Sequence, residues 1–386
     1  MKTAHDQKAG SLEGLRVLDL SRMLPGPYCS MILADHGAEV IGIEDRRFEG
    51  DGLFFDLLNR NKKHLSLNLK ADEGKAVFDR LAQQADVIIE GFRPGVVQRL
   101  GVDYESVARI NPRIIYCSIS GYGQDGPRYL EAGHDVNYIS SAGILDLIGL
   151  RDGSPLIPGI QIGDICGSMN AVIGILLALQ ARVISGRGQY IDISMTDGLL
   201  GLLNLPLLLQ RQSGRELCRS DHLLSHRYAC YHVYTTADGR HMAVGALENR
   251  FWKQLCNLLE VPEFGDLQYD EQRREELISA LAAIFKTRTA AQWEELLKGH
   301  DVCCSRVLSI NEVMQHPLFE AREMIVDWQQ PDGSTGKMFG IPVKLSETPG
   351  AIRTVPAPFG CHNEEILSGL GYSMAEIDDF RARKII

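Results

Sequence analysis

The chain has 386 residues, 45% of them hydrophobic and 23% charged, which is ample core for a globular protein of two or three domains. A formal net charge of -10 argues against nucleic acid as the main partner, although local Lys and Arg clusters leave room for an anionic ligand. Nine cysteines without a C-x-x-C pair read as reduced thiols, and the polar tail Met1 to Gly10 lacks a hydrophobic signal region, so a soluble cytoplasmic protein is expected.

Leu15 to Leu20 reads as a strand, Pro25-Gly26-Pro27 as a turn, Tyr28 to His36 as a helix and Glu39 to Glu44 as a second strand. Strand, helix and strand at this pace make a parallel βαβ unit. The pattern repeats with a helix over Ala71 to Ala85, a strand at Val87 to Glu90, a helix at Tyr104 to Ile110 and a strand at Ile114 to Ile119. Apolar strands such as Val87-Ile88-Ile89 suit a sheet covered on both faces. The apolar run Met169 to Ile184 is broken by Asn170, Gly174, Gln180 and Arg182, falls short of a membrane span and reads as a core helix, so no membrane partner is expected. Gly186 and Gly188 end it before a strand at Tyr190 to Ser194.

From about Arg211 the texture changes. A hairpin is expected from Tyr228 to Thr235 and Arg240 to Val244 around Asp238-Gly239, followed by helices at Arg250 to Leu259, Glu271 to Lys286 and Ala290 to Leu297. This reads as a smaller α+β domain over 211–328. After Trp328 the chain is rich in Pro and Gly (Pro331 and Gly333 among them), with one amphipathic piece at Asn363 to Leu370.

Two motifs invite chemistry that their surroundings refuse. Gly121-Tyr-Gly-Gln-Asp-Gly126 matches G-x-G-x-x-G, but Pro127, Arg128, Tyr129 and Gly133 follow where a helix must open to receive a pyrophosphate. A loop over a pocket is the better reading. His222, His226, Cys230 and His232 have neither H-E-x-x-H nor zinc-ribbon spacing, so no metal site is expected there.

Three ionisable groups stand in apolar surroundings: Asp164 ahead of the long helix, His134 in Ala-Gly-His-Asp-Val-Asn-Tyr, and Glu248 in Gly-Ala-Leu-Glu-Asn-Arg. Asp164 fits a helix cap or a reagent held ready at the helix end. His134 fits a hydrogen-bonded loop residue or a base, and Glu248 a first-turn acid of the following helix.

Taken together the motifs resemble one family. Leu12-Glu-Gly-Leu-Arg-Val-Leu-Asp-Leu, Asn59-Arg-Asn-Lys-Lys, Ser66-Leu-Asn-Leu-Lys70, Glu90-Gly-Phe-Arg-Pro-Gly95, Arg99-Leu-Gly, Ser120-Gly-Tyr-Gly-Gln-Asp-Gly-Pro127, Gly163-Asp164 and Gly186-Arg-Gly-Gln189 appear in order. On these the chain resembles the class III CoA-transferases, from Leu12 to about Phe359. The resemblance implies an α/β fold: a Rossmann-like large domain (1–210 with 329–386) that binds CoA through a parallel sheet, plus the small α+β domain, in an interlocked homodimer. It implies an acyl-CoA substrate, with coenzyme A as part of that substrate and no prosthetic group. The family's transferases use the aspartate matched by Asp164 as a nucleophile that passes through an aspartyl-CoA thioester. The α-methylacyl-CoA racemase branch carries Gly-His-Asp-x-Asn-Tyr and Gly-Ala-x-Glu, matched by Gly133 to Tyr138 and Gly245 to Glu248. That match implies proton transfer at the α carbon by Asp164 and His134, with Glu248 orienting or charging the imidazole.

For coenzyme A the family positions match Lys70, Arg93 and Arg99 as cations, with Leu67, Phe92 and Leu100 around the base and Tyr122 and Asp135 beside the site. Several positions depart from the pattern. Ile160-Gln161 replaces an Asn ahead of the racemase aspartate, and Ser225-His226-Arg227-Tyr228 replaces a glycine pair. Gly42 replaces an arginine at the end of the second strand, and the glycine-rich loop of the formyl-CoA transferase is missing. Arg227 beside the site would suit an acyl chain bearing a carboxylate. The readings in play are epimerisation of a 2-methylacyl-CoA, CoA transfer to a carboxylic acid, and passive binding of a CoA ester.

Overall fold

The computed structural model describes residues 9–49, 56–329 and 333–386; most of the N-terminal tail and Pro331 lie outside that set. The chain divides into two compact units, the first formed by the described residues of Met1–Ala142, Gly159–Gly201 and Pro317–Ile386, the second by Gly143–Pro158 and Leu202–His316.

The first unit is built on six parallel strands: β1 (Arg16–Asp19), β2 (Glu39–Glu44), β3 (Lys62–Ser66), β4 (Val87–Glu90), β5 (Ile115–Ser120) and β6 (Gln189–Ser194), in the order β3-β2-β1-β4-β5-β6. That order belongs to the doubly wound Rossmann sheet, whose connections reverse direction between β1 and β4. Every residue of β4 and β5 is buried, as strands covered on both faces must be. The helices are α1 (Pro25–Asp35), α2 (Asp72–Gln83), α3 (Val96–Leu100), α4 (Tyr104–Ile110), α5 (Asp135–Ser141), α6 (Ile162–Ser185) and α7 (Met195–Leu200). Pro25-Gly26-Pro27 is the first turn of α1 rather than a turn before it. The reason is that proline fixes φ near the helical value and gives up an N–H that a first turn leaves unbonded anyway. Leu18, Ile41, Leu65, Phe78, Leu81, Ile88 and Tyr116 fill one core beside the sheet. Full burial of each aliphatic or aromatic side chain there contributes roughly 1.5–3 kcal/mol.

Helix α6 departs from the expectation. It spans 24 residues and is long and apolar enough to cross a membrane by length and composition. One face carries Gly163, Gly167, Ala171, Ile175, Ala178 and Arg182, all buried. Small residues let α6 approach α7 and the sheet closely: a Cβ added at Gly167 would meet the Met195 side chain at 2.6 Å, and one at Gly174 the Ile191 side chain of β6 at 3.1 Å. Arg182 anchors the far end on Asp86 at 2.8 Å. The opposite face is apolar and exposed, with Ile173, Leu177, Val183 and Ile184 more than half accessible, so the helix is a core helix on one side only.

The second unit holds α8 (Asn204–Ser213) and a three-stranded antiparallel sheet of β7 (Tyr231–Thr235), β8 (His241–Gly245) and β9 (Cys304–Arg306), with α9 (Asn249–Leu258), α10 (Arg274–Phe285), α11 (Ala290–Leu297) and α12 (Ile310–Val313). Tyr234 stacks on Phe285 and Phe285 meets Trp293 edge-on, at centroid separations of 4.9 and 5.1 Å. Trp252 and Trp293 donate their indole N–H groups to the carbonyls of Phe264 and Phe285, so both rings are buried without an unsatisfied donor. The return segment adds α13 (Pro317–Ala321), the hairpin β10 (Ile325–Gln329) and β11 (Thr335–Phe339), α14 (Asn363–Gly369) and α15 (Met374–Ala382) to the first unit. Ile366, Ile377 and Ile386 join that unit's core.

Candidate active site

Ligands of doubly wound sheets sit outside the carboxyl ends of the strands, where the strand order reverses. Two clefts lie there. The first, about 440 Å³, is lined by the loops after β1 (Arg22), β4 (Phe92, Arg93) and β5 (Tyr122), and by His134, Tyr138 and Asp164. The second, about 560 Å³, is lined by Leu67, Lys70, Phe92, Arg99 and Leu100, and by Arg22, Arg47 and Phe48. Arg22 and Phe92 stand on the wall between the two and line both.

Asp164 occupies the first turn of α6 but does not cap it. The cap comes from α5: one Asp135 carboxylate oxygen accepts the N–H of Gly163 at 2.6 Å and that of Asp164 at 3.1 Å. This corrects two expectations together. Asp164 is released from capping, and Asp135, expected beside the ligand, is buried with its carboxylate turned to the α6 backbone. Burial raises the Asp164 carboxyl to about 6, the Asp135 carboxylate adds to the rise, and His134 opposes it. A carboxyl poised there can both give and take a proton near neutral pH.

His134 is the residue before α5, and its backbone N–H donates to the Asn137 side chain at 3.1 Å. Its imidazole lines the cleft with Asp164. Tyr138, one turn along α5, donates its hydroxyl to the Gly133 carbonyl at 2.5 Å and is packed so closely that a Cβ on Gly121 would meet its ring at 2.4 Å. Burial, then the nearby Asp164, pushes that phenol up to about 12, so it remains an un-ionised wall. The glycine-rich loop after β5 opens no helix before α5. Instead Asp192 of β6 accepts the Gln124 N–H at 2.9 Å, and Arg128 covers the Tyr122 ring at 4.3 Å.

Glu248 belongs to the second unit, exposed at the position before α9. Arg227, read as a possible carboxylate binder, is engaged in its own unit by Asp221 at 2.7 Å and Glu271 at 2.8 Å. Its charge is compensated there, which removes the reason to expect a carboxylate on the acyl chain. His226 and His232 meet edge-on at 4.6 Å and His232 stacks on Tyr234, an aromatic role.

Sequence reasoning missed Arg22, Tyr138 and Glu90. Arg22 holds its guanidinium 3.7 Å over the Phe48 ring, fixing a cation on the shared wall. Nothing local in Ser-Arg-Met singled it out. At Gly42 a Cβ would meet His64 at 3.0 Å, so no longer side chain fits there without displacing that ring. Glu90 ends β4, is buried and accepts the Phe92 N–H at 2.8 Å, which sets the loop bearing Phe92 and Arg93. Its carboxyl is pushed up to about 7, chiefly by burial.

The model of the CoA-transferase family III matches residues 12–363. Human alpha-methylacyl-CoA racemase is 36% identical over 385 residues, covering 97% of each chain. The succinyl-CoA–D-citramalate CoA-transferase of Chloroflexus aurantiacus is 32% identical over 394 residues, covering 97% of this chain and 98% of its own. Among solved structures, a CAIB/BAIF family protein from Brucella suis superposes with a TM-score of 0.81 at 29% identity, over 94% of this chain and 100% of its own.

Proposed function

The chain belongs to the CoA-transferase family III, and from that premise we propose that it epimerises 2-methylacyl-CoA thioesters by proton transfer at the α carbon. The observation that carries this reading is the shared cleft of Asp164 and His134, with Asp164 poised to titrate at about 6. Inversion needs one group to remove the α proton and another to return one from the opposite face, with the enolate stabilised between. His134 takes the proton from one face and Asp164 supplies one to the other; the reverse reaction exchanges the roles.

The second cleft fits the nucleotide end of coenzyme A. Leu67, Phe92 and Leu100 offer an apolar slot for adenine, and Lys70, Arg99 and Arg22 offer cations for phosphates. Phe92 and Arg22, common to both clefts, lie where the thiol arm would pass from nucleotide to reaction centre. The exposed apolar face of α6 supports a homodimer, in which Glu248 of the partner subunit completes the acid–base set. A cytoplasmic setting accords with the free thiols of all nine cysteines.

A second reading is CoA transfer, in which Asp164 attacks the thioester itself. It is favoured by the match of Asp164 to the family's nucleophile and by relatives named as transferases. Turnover of a 2-methylacyl-CoA in deuterium oxide separates the two. Epimerisation washes deuterium into the α position without any acceptor acid, and absence of exchange overturns it. Transfer instead leaves Asp164 modified when hydroxylamine is present during turnover.

A further inference from the structure

A helix begins with N–H groups that have no partner within the helix, and some acceptor must meet them. For α6 the preceding residue, Gln161, supplies no side-chain bond. Asp135 supplies it from another helix, and Gly163 leaves room for it, since a Cβ there would approach the same carboxylate oxygen to 3.1 Å. Capping needs only an acceptor, which Asn or Ser provides as well as Asp does. What Asp135 adds is charge, bonded to the backbone N–H of the residue that carries the second carboxylate. A like charge at that range disfavours ionisation of its neighbour.

Other groups facing Asp164 act in both directions. His134 stands just before α5 and the un-ionised Tyr138 on it; the loops contribute Arg22 after β1, Arg93 after β4, and Tyr122 and Glu131 after β5. The α6 N-terminus itself favours an ionised Asp164. Against those cations and the helix dipole stand the burial of Asp164, which is the larger effect, and the like charge of Asp135. We propose that Asp135 is a positioning residue whose charge, and not only its hydrogen-bonding shape, keeps Asp164 able to carry a proton near neutral pH. The inference deepens the proton-transfer reading and rests on it: Asp164 must hold a proton to give to the α carbon when His134 has taken one away.

Asp135→Asn tests this, because the amide oxygen keeps both N–H bonds and removes the charge. Carbon-13 NMR of aspartate-labelled protein follows the Asp164 carboxyl directly, its resonance identified by its loss in Asp164→Asn. The midpoint is expected to fall by roughly one pH unit in Asp135→Asn, and the acid limb of kcat/KM for α-proton exchange to fall with it. An unchanged midpoint in a folded Asp135→Asn overturns the proposal, as does a wild-type Asp164 titrating in the ordinary aspartate range. Should the asparagine variant fail to fold, Asp135→Ser carries the same comparison with a shorter neutral cap. Asp164→Asn that still exchanges the α proton refutes the proton-transfer reading instead, so the two failures are distinct.

Discussion

Asp164 is held at the cleft against its own electrostatic preference, and that has a stability cost that can be measured. A carboxyl raised to about 6 binds its proton more tightly folded than unfolded. Its favourable contribution is therefore complete below about pH 4 and lost as the pH rises through about 6. Ionised at pH 8, it costs at most ~3 kcal/mol, and about 1–2 kcal/mol once its partial contact with water is allowed for. Asp164→Asn is accordingly expected to raise Tm by a few degrees at pH 8 and to change it little at pH 4. The same substitution should lower α-proton exchange by about 10³-fold or more. Melting curves at the two pH values check the sign. A lower Tm at pH 8 would mean that the carboxylate holds the fold together, as the capping reading of this residue requires. That reading was available from sequence because Asp164 does precede the apolar run. What sequence could not show was an acceptor arriving from a residue on another helix.

The elements that place these side chains differ in how far sequence revealed them. Strands β1, β2, β4 and β5 announce themselves through short apolar cores between turn signals and β6 through its alternation of polar and apolar residues, and the Rossmann order follows from their alternation with helices. Strand β3 is hidden because its residues are Lys62, Lys63 and His64: Lys62 is buried by donating to the Pro27 carbonyl and the Asn59 side chain. Helix α5 is too short for any periodicity to show, and α6 begins ahead of its apolar run because Asp135 satisfies its first turn. Of the residues expected to hold coenzyme A, Arg93 and Tyr122 line one cleft, whereas Leu67, Lys70, Phe92, Arg99 and Leu100 line the other. If that cleft binds the nucleotide, Lys70→Ala and Arg99→Ala should each raise KM for an acyl-CoA about tenfold with kcat little changed. A truncated thioester lacking the nucleotide should be turned over equally by wild type and variants; equal losses on both substrates would refute the assignment. The glycine loop after β5 gives a second test. Gly121→Ala drives a methyl group into the Tyr138 ring, displaces the α5 N-terminus with His134, and should lower kcat while costing about 1–3 kcal/mol in stability.

At the scale of the whole molecule, the proposed acid–base set is divided between compact units: Asp164 and His134 in the first, Glu248 in the second. An exposed apolar face on α6, with Leu177 at 66% and Ile184 at 85% accessibility, is more than a monomeric surface usually leaves uncovered. Self-association through a two-fold interface covers such a face twice, and sedimentation should give a particle of twice 42.8 kDa. If Glu248 serves the cleft of the other subunit, complementation will reveal it. Asp164→Asn and Glu248→Gln homodimers should each be impaired. Coexpressed with separate affinity tags, they form a heterodimer in which one site carries both substitutions and the other carries none. Purified through both tags, that heterodimer should recover about half of the wild-type exchange rate, one intact site of two. Were Glu248 to act within its own chain, each site would carry one substitution and the heterodimer would do no better than the mean of its parents. The same preparation distinguishes a dimer from a membrane-bound monomer, since only a protein that assembles with its own copy can be recovered through two tags without detergent.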